Sequence, residues 1–189
     1  LSMLQTALYS SYFWPIFRKS AKPHFFEFKD TFDAINRIAK NRSYPPATMS
    51  INVGDPAPDF SLVALGESGP EVVKLSEQIG GQHILLLFVP MAFTGVCTTE
   101  FCEISAGLGA YSDLNCKVYG ISGDNPFAQA AWAEKEGISL PLLSDYDHKA
   151  TQAYGIAYDQ FLPEKNLIMG GVPKRSAFLI DEAGIVQYA

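Results

Sequence analysis

The chain has 189 residues, 48% hydrophobic and 13% aromatic, with a formal charge of −6; that suits one domain of ordinary size, with a buried core, plus an extension. The acidic balance argues against nucleic acid, whose partners are usually basic. The longest apolar run, residues 84–93 with Pro90 inside it, falls well short of the ~18 residues of a membrane span. Three cysteines are too few for a disulfide framework and leave one over after any pairing, which points to a reducing, cytoplasmic setting.

Two compositions meet near residue 48. Residues 1–48 carry seven Lys and Arg against three Asp and Glu, while residues 49–189 carry seven against seventeen, and all 15 glycines follow Met49. The adjacent Pro45 and Pro46 would interrupt any helix there. The sequence therefore divides into an N-terminal extension, 1–48, and a domain, 49–189. The acidic-poor, Ser- and Arg-containing start of the extension suits an organellar targeting segment, but the aromatic stretch 25–28 and the acidic Asp30 and Asp33 do not. A gene-model artefact or a fragment edge, with Met49 as the true start, is the plainer reading.

From residue 58 short strands alternate with helices. PDFSLVA and EVVKLS read as two strands joined through ALGESGP, a link rich in Gly and Pro. HILLLFV (83–89) is a continuous apolar run, the mark of a strand covered on both faces. TTEFCEISAGLGAY has helical spacing, with Phe101, Ile104 and Leu108 on one side. KVYGIS (117–122) is the next buried strand. Asp124 or Asn125 then offers an N-cap, Pro126 suits the first helical position, and the helix closes on Gly137. LPLLSD, DHKATQAYG, RSAFLID and GIVQYA follow as strand, short helix, strand and strand, with EAG as the last turn. This order predicts an α/β fold, a central mixed sheet flanked by helices, of which the thioredoxin-like fold is one example.

The chemistry concentrates in PMAFTGVCTTEFC, residues 90–102. Cys97 falls at or just inside the start of a helix, at the carboxyl end of a central strand, where open α/β sheets place their ligand sites. Unpaired N–H groups and the helix dipole favour an anion there, and the thiolate is the nucleophilic form of cysteine. Thr94, three residues earlier, can aim a hydroxyl at whatever the sulfur attacks. Pro90 turns the loop sharply away from the strand and removes one backbone donor.

Pro90, Thr94 and Cys97 match the P-x-x-x-T-x-x-C signature, and the chain from VGDPAPDFSL through KVYGISGDNPFAQAAW to VPKRSAFLIDEAG resembles the peroxiredoxins. The FTGVC form looks closest to the AhpE-like branch. The resemblance implies a thioredoxin-like fold, Cys97 as peroxidatic nucleophile and an arginine from a distant strand. Arg175 is the sole arginine after residue 48 and begins the strand RSAFLID; its fork of fixed donors suits two oxygens in line. Glu100 stands where the family often carries a carboxylate bonded to that arginine, although an acidic group in a helix's first turn is also favourable by itself. The implied activity is thiol-dependent reduction of hydrogen peroxide and small organic hydroperoxides through a cysteine sulfenic acid. No metal or organic cofactor is implied, only an external thiol reductant such as thioredoxin, glutaredoxin or a low-molecular-weight thiol. A homodimer, with no nucleic acid or membrane partner, completes the expectation. The family usually continues into a C-terminal helix beyond GIVQYA, so a truncated C-terminus is expected.

The resolving thiol stays open. Cys102, five residues after Cys97, matches a spacing that some bacterioferritin-comigratory-type members use for an internal disulfide. On an intact helix that spacing means roughly 7.5 Å of rise and about 500° of turn, so the first turns would have to unwind. The alternatives are a helical cysteine acting as a small hydrophobe, a one-cysteine mechanism with an external thiol, or a resolving cysteine beyond residue 189. Cys116, just before KVYGIS, reads as packing against the core or a neighbouring subunit, and stands behind Cys102 as a candidate resolving thiol. C-x4-C-x13-C is not a zinc pattern. His24, His83 and His148 read as surface or satisfied histidines, and Phe127 and Trp132 as core. A thiol–disulfide oxidoreductase on the same fold is disfavoured by the lack of C-x-x-C. A peroxide sensor or holdase, relaying the oxidation of Cys97 to a partner, is the reading from another class.

Overall fold

The computed structural model describes residues 51–167 and 169–189; the extension expected over residues 1–48, and His24 with it, lies outside them. The described chain opens as a hairpin of β1 (Ser61–Gly66) and β2 (Gly69–Lys74), paired antiparallel from Ser61 with Lys74 to Gly66 with Gly69. Only Glu67 and Ser68 remain as the turn, tighter than the link expected, because Gly69 takes a positive φ of 116° and lets both strands run to the corner. Leu75 and Ser76, expected to end the second strand, instead open the short helix α1 (Leu75–Gln78). Asp59 Oδ1 accepts from the Phe60 and Ser76 N–H groups, each at 2.9 Å, and so fastens the start of that helix to the start of β1.

The centre of the sheet is parallel. β3 (His83–Phe88), β4 (Cys116–Ser122) and β5 (Leu142–Ser144) run the same way, and β6 (Ser176–Ile180) and β7 (Val186–Tyr188) add antiparallel strands beyond β3. The order is β2-β1-β5-β4-β3-β6-β7, a mixed sheet as expected. Ile84, Leu86 and Phe88 belong to one core with Ile121, Tyr154 and Phe178, where the rings of Phe88, Tyr154 and Phe178 meet at 4.8, 5.5 and 5.9 Å. Leu85 and Leu87, equally buried, alternate to the opposite face. That two-sided burial is why HILLLFV carries no polar alternation.

Helices α2 (Gly95–Ala106), α3 (Leu108–Asp113), α4 (Pro126–Glu136) and α5 (Lys149–Ala153) complete the layers. The single helix expected over 98–111 is two, broken at Gly107. Phe101 and Ile104 are buried, while Leu108, on the second axis, is only half-buried. Helix α4 follows its sequence signals closely. Asn125 Oδ1 accepts from Ala128 N–H at 3.0 Å, Pro126 is the first residue, and Gly137 ends the helix with φ 71°. Trp132 is fully buried, but Phe127, expected in the core, is 63% exposed. Five residues turn a helix through about 500°, so the two rings leave it in different directions.

Two other expectations are corrected. His83 and His148 are half-buried, and neither Nδ1 has a hydrogen-bond partner. The His148 ring occupies space that side chains at Gly123 and Gly171 would fill: a Cβ at Gly123 would lie 2.3 Å from its Cε1. Gly120 of β4 is equally crowded, since a Cβ there would lie 2.6 Å from the Phe101 ring and 2.8 Å from Leu142. Gly120→Ala is therefore expected to destabilise the fold by about 1–3 kcal/mol through overpacking. Urea denaturation would register this as a lower midpoint at constant slope, and an unchanged midpoint would show that the Phe101 ring yields freely. Among the described residues no helix is long and apolar enough to cross a membrane.

Candidate active site

The chain leaves β3 through a tight loop. Pro90, buried, turns it away from the sheet with a fixed φ and no N–H to satisfy. Phe93 then takes a left-handed backbone, φ 58°, which for a residue with a Cβ costs on the order of 1 kcal/mol or more and persists only where its surroundings enforce it. Two bonds do so here. Asp124 Oδ2 accepts from Ala92 N–H at 2.8 Å, and Thr94 Oγ1 donates to the Met91 carbonyl at 3.0 Å.

Thr94 is the N-cap of α2, which makes Cys97 the third residue of the helix. The Thr94 carbonyl accepts from Thr98 N–H at 2.9 Å, while its side chain makes no cap bond. The first-turn N–H groups, which lack intrahelical acceptors, are thus not consumed by the cap. Cys97 itself is only 2% exposed. Its sulfur sits at the positive end of the helix, and Arg175 Nη2 donates to Sγ at 3.1 Å. The other arm of the guanidinium, Nη1, is paired with Glu100 Oε2. Cys97 and Glu100 are three apart on one helix and so share a face, which is how a single arginine reaches both.

Sheet register brings that arginine in. Antiparallel pairing of β6 with β3 sets Ser176 opposite Phe88. Arg175, one residue earlier, therefore stands opposite the point where the chain leaves β3 for the Cys97 loop. A separation of 78 residues is closed by one strand pairing. The structure thus brings Cys97, Glu100 and Arg175 into direct contact, with Thr94 one turn before the sulfur and Pro90 at the base of the loop.

The other thiols are placed differently. Cys102 lies on the unbroken α2, where its Sγ donates to the Glu136 carbonyl at 3.4 Å. Burial, then the carboxylates of Glu136 and Glu103, push its thiol above the ordinary range. The same stretch of α2 is held to α4 by Trp132, whose Nε1 donates to Thr98 Oγ1 at 3.0 Å and whose ring stacks on Phe101 at 5.4 Å. Cys116 opens β4 opposite His83, the far end of a six-residue strand from the active loop, about 20 Å away. Burial pushes its thiol up to about 12. All three cysteines are free. Among the described residues no three His, Cys, Asp or Glu side chains are grouped to hold a metal ion.

Sequence reasoning missed Asp124 and the Trp132 bond to Thr98. The one available signal was GDNP, in which Asp124 and Asn125 both read as caps; Asn125 takes the cap, and Asp124 reaches back to the loop.

The AhpC/TSA family model matches residues 53–189. A chloroplastic 2-cysteine peroxiredoxin of Chattonella marina var. antiqua is 32% identical over 75% of this chain and 71% of its own length. Alkyl hydroperoxide reductase E of Mycobacterium bovis is 33% identical over 74% of this chain and 84% of its own. Among solved structures, the reduced 2-Cys peroxiredoxin of Plasmodium vivax is similar with a TM-score of 0.61 and 30% identity, covering 72% of this chain and 82% of that one. The relatives include a 2-cysteine protein and alkyl hydroperoxide reductase E alike, so they establish the family and its thioredoxin-like fold rather than one branch. Matched along most of its length by the family model and by relatives about one-third identical, the chain belongs to the AhpC/TSA family, the peroxiredoxins, and is a thiol-dependent peroxidase.

Proposed function

We propose that Cys97 is the peroxidatic nucleophile and that Pro90, Thr94, Glu100 and Arg175 form its site. The observation that carries this is the Arg175 guanidinium, 3.1 Å from Cys97 Sγ on one arm and held by Glu100 on the other. The thiolate attacks the terminal oxygen of a hydroperoxide. An S–O bond forms as the O–O bond breaks; the leaving oxygen departs with the electron pair and takes up a proton, giving water or an alcohol. Cys97 ends as a sulfenic acid. Arg175 offsets the charge as it passes from sulfur to the leaving oxygen, and the first-turn N–H groups of α2 add fixed donors. Thr94 Oγ1, its proton directed at Met91, keeps lone pairs that accept from the O–H of the peroxide. The 2% exposure of Cys97 suits hydrogen peroxide and small organic hydroperoxides.

The sulfenic acid is then reduced by a thiol from outside the described residues. That thiol condenses with Cys97 to a mixed disulfide, releasing water, and a second thiol frees Cys97. Thioredoxin, glutaredoxin or a low-molecular-weight thiol fits this role. A 97–102 disulfide would require unwinding a helix pinned at Thr98, Phe101 and Cys102. After one equivalent of hydrogen peroxide, trapping with dimedone and alkylation is expected to show the adduct on Cys97 and an alkylated Cys102. An internal 97–102 disulfide in the mass spectrum would overturn the external thiol, and no product at Cys97 would overturn the nucleophile. A homodimer is part of the same reading: Phe93, Val96 and Phe127, at least half exposed, offer it an apolar surface. A reducing compartment such as the cytoplasm suits a cycle that returns Cys97 to the thiol.

A further inference from the structure

We propose that Asp124 is a positioning residue for peroxide reduction: it holds the loop of residues 90–94 in the strained shape that sets Thr94 and the start of α2 against the oxygens of the peroxide. The inference rests on the reading of Cys97 as nucleophile. Phe93 is left-handed at φ 58°, and the amide immediately before it, Ala92 N–H, is bonded to Asp124 Oδ2 at 2.8 Å. Ala92 is buried, so this donor has no ready replacement in bulk water, and losing its acceptor would favour a different loop.

Asp124 can act as an anchor because it is itself fixed on several sides. Ser122 Oγ donates to the same Oδ2 at 2.8 Å and accepts from Gln129 Nε2 at 2.9 Å. Gln129 also donates to the Leu143 carbonyl at 2.9 Å, and both Ser122 and Gln129 are buried. Ser144 Oγ donates to the Asp124 carbonyl at 2.7 Å. The His148 ring fills the space over the neighbouring Gly123 and also packs on Gly171, in the segment leading to Arg175. The end of β4 thus holds the carboxylate, the end of β5 holds the Asp124 backbone, and His148 packs between Gly123 and the approach to β6, while the carboxylate grips the loop of residues 90–94.

The sulfur's own partners are elsewhere: Arg175 Nη2 donates to it at 3.1 Å and it sits at the positive end of α2, contacts that do not run through Asp124. This separates two reactions of one sulfur. Alkylation by iodoacetamide needs an accessible thiolate, whereas reaction with peroxide also needs both oxygens held in line. In Asp124→Ala the rate with hydrogen peroxide is expected to fall about 10- to 100-fold, the scale of a misplacement near 1 Å. The iodoacetamide rate should stay within about twofold of the parent, since the contacts of the sulfur with Arg175 and the helix start are retained. In Asp124→Asn the amide oxygen can take the place of Oδ2 and accept from both Ala92 N–H and Ser122 Oγ, so its peroxide rate should return to within about threefold of the parent. The parent's own reaction with peroxide at Cys97 is measured first, so failure of the nucleophile is recognised before any variant is compared. An Asp124→Ala chain that reacts with peroxide at the parental rate overturns the proposal. So does a parallel loss of both reactions, which is what general loosening of the fold would produce. An Asn variant as slow as the Ala variant would assign the effect to charge and overturn the hydrogen-bonded grip.

Discussion

Cys97→Ser is expected to lose peroxide reduction by on the order of 10⁴-fold or more, the scale seen when a covalent nucleophile is removed. Oxygen is smaller than sulfur but keeps the shape of the side chain and adds no bulk, so the 2% exposed site loses little packing and the variant should fold. What disappears is the sulfur nucleophile. A serine hydroxyl is a weak nucleophile near neutral pH, so the peroxide loses its attacking group. Rapid mixing with hydrogen peroxide, followed by quantitation of the remaining oxidant, measures the loss. Cys102 and Cys116 remain in the variant and act as internal controls, because both thiols are raised by burial and so supply little thiolate. A single turnover at a rate near the parent's would move the nucleophile to one of them and overturn the assignment of Cys97.

What the sequence made legible was mostly local. Asn125, Pro126 and Gly137 each act through their immediate neighbours, and α4 begins and ends where they indicate. The spacing from Thr94 to Cys97 is likewise local, one turn of helix from N-cap to third residue. HILLLFV announced a strand buried on both sides because no polar residue interrupts it. Features that depend on pairing distant segments were not legible. Nothing near Arg175 shows that β6 pairs with β3 in the register that sets Ser176 opposite Phe88; the arginine stood out only as the one left in its domain. The seat of His148 depends on the absent side chains of two glycines from different loops. Phe127 and Trp132 look alike in sequence, and only the position of α2 determines that the second is covered. The break at Gly107 has a local cause, a residue with weak helix preference, but so does Gly95, which helix α2 includes. A glycine alone therefore does not announce which role it takes.

Arg175→Ala is expected to slow peroxide reduction about 10²- to 10³-fold, the range for removing one preorganised donor from the charge that develops in a transition state. The argument lies in the two arms of the side chain. One contacts Cys97 Sγ at 3.1 Å, and the other is fixed by Glu100, so, with Cys97 as the proposed nucleophile, the guanidinium is aimed before the peroxide arrives and need not reorganise as charge moves. Lysine supplies the same charge as a single flexible point and cannot serve Glu100 and the sulfur along two fixed directions. Arg175→Lys should therefore recover only part of the loss. The Ala variant also strands the Glu100 carboxylate, 18% exposed, at a cost of about 1–3 kcal/mol in stability; rates must be read well below its unfolding midpoint. A double-mutant cycle with Glu100→Gln separates the two functions of the guanidinium. If Glu100 acts by aiming the arginine, its replacement should slow the parent but leave the Arg175→Ala chain almost unchanged, because nothing is then left to aim. Strictly additive losses would show that the carboxylate and the guanidinium act independently. An Arg175→Lys chain as fast as the parent would show that a positive charge, without its geometry, is all the sulfur requires.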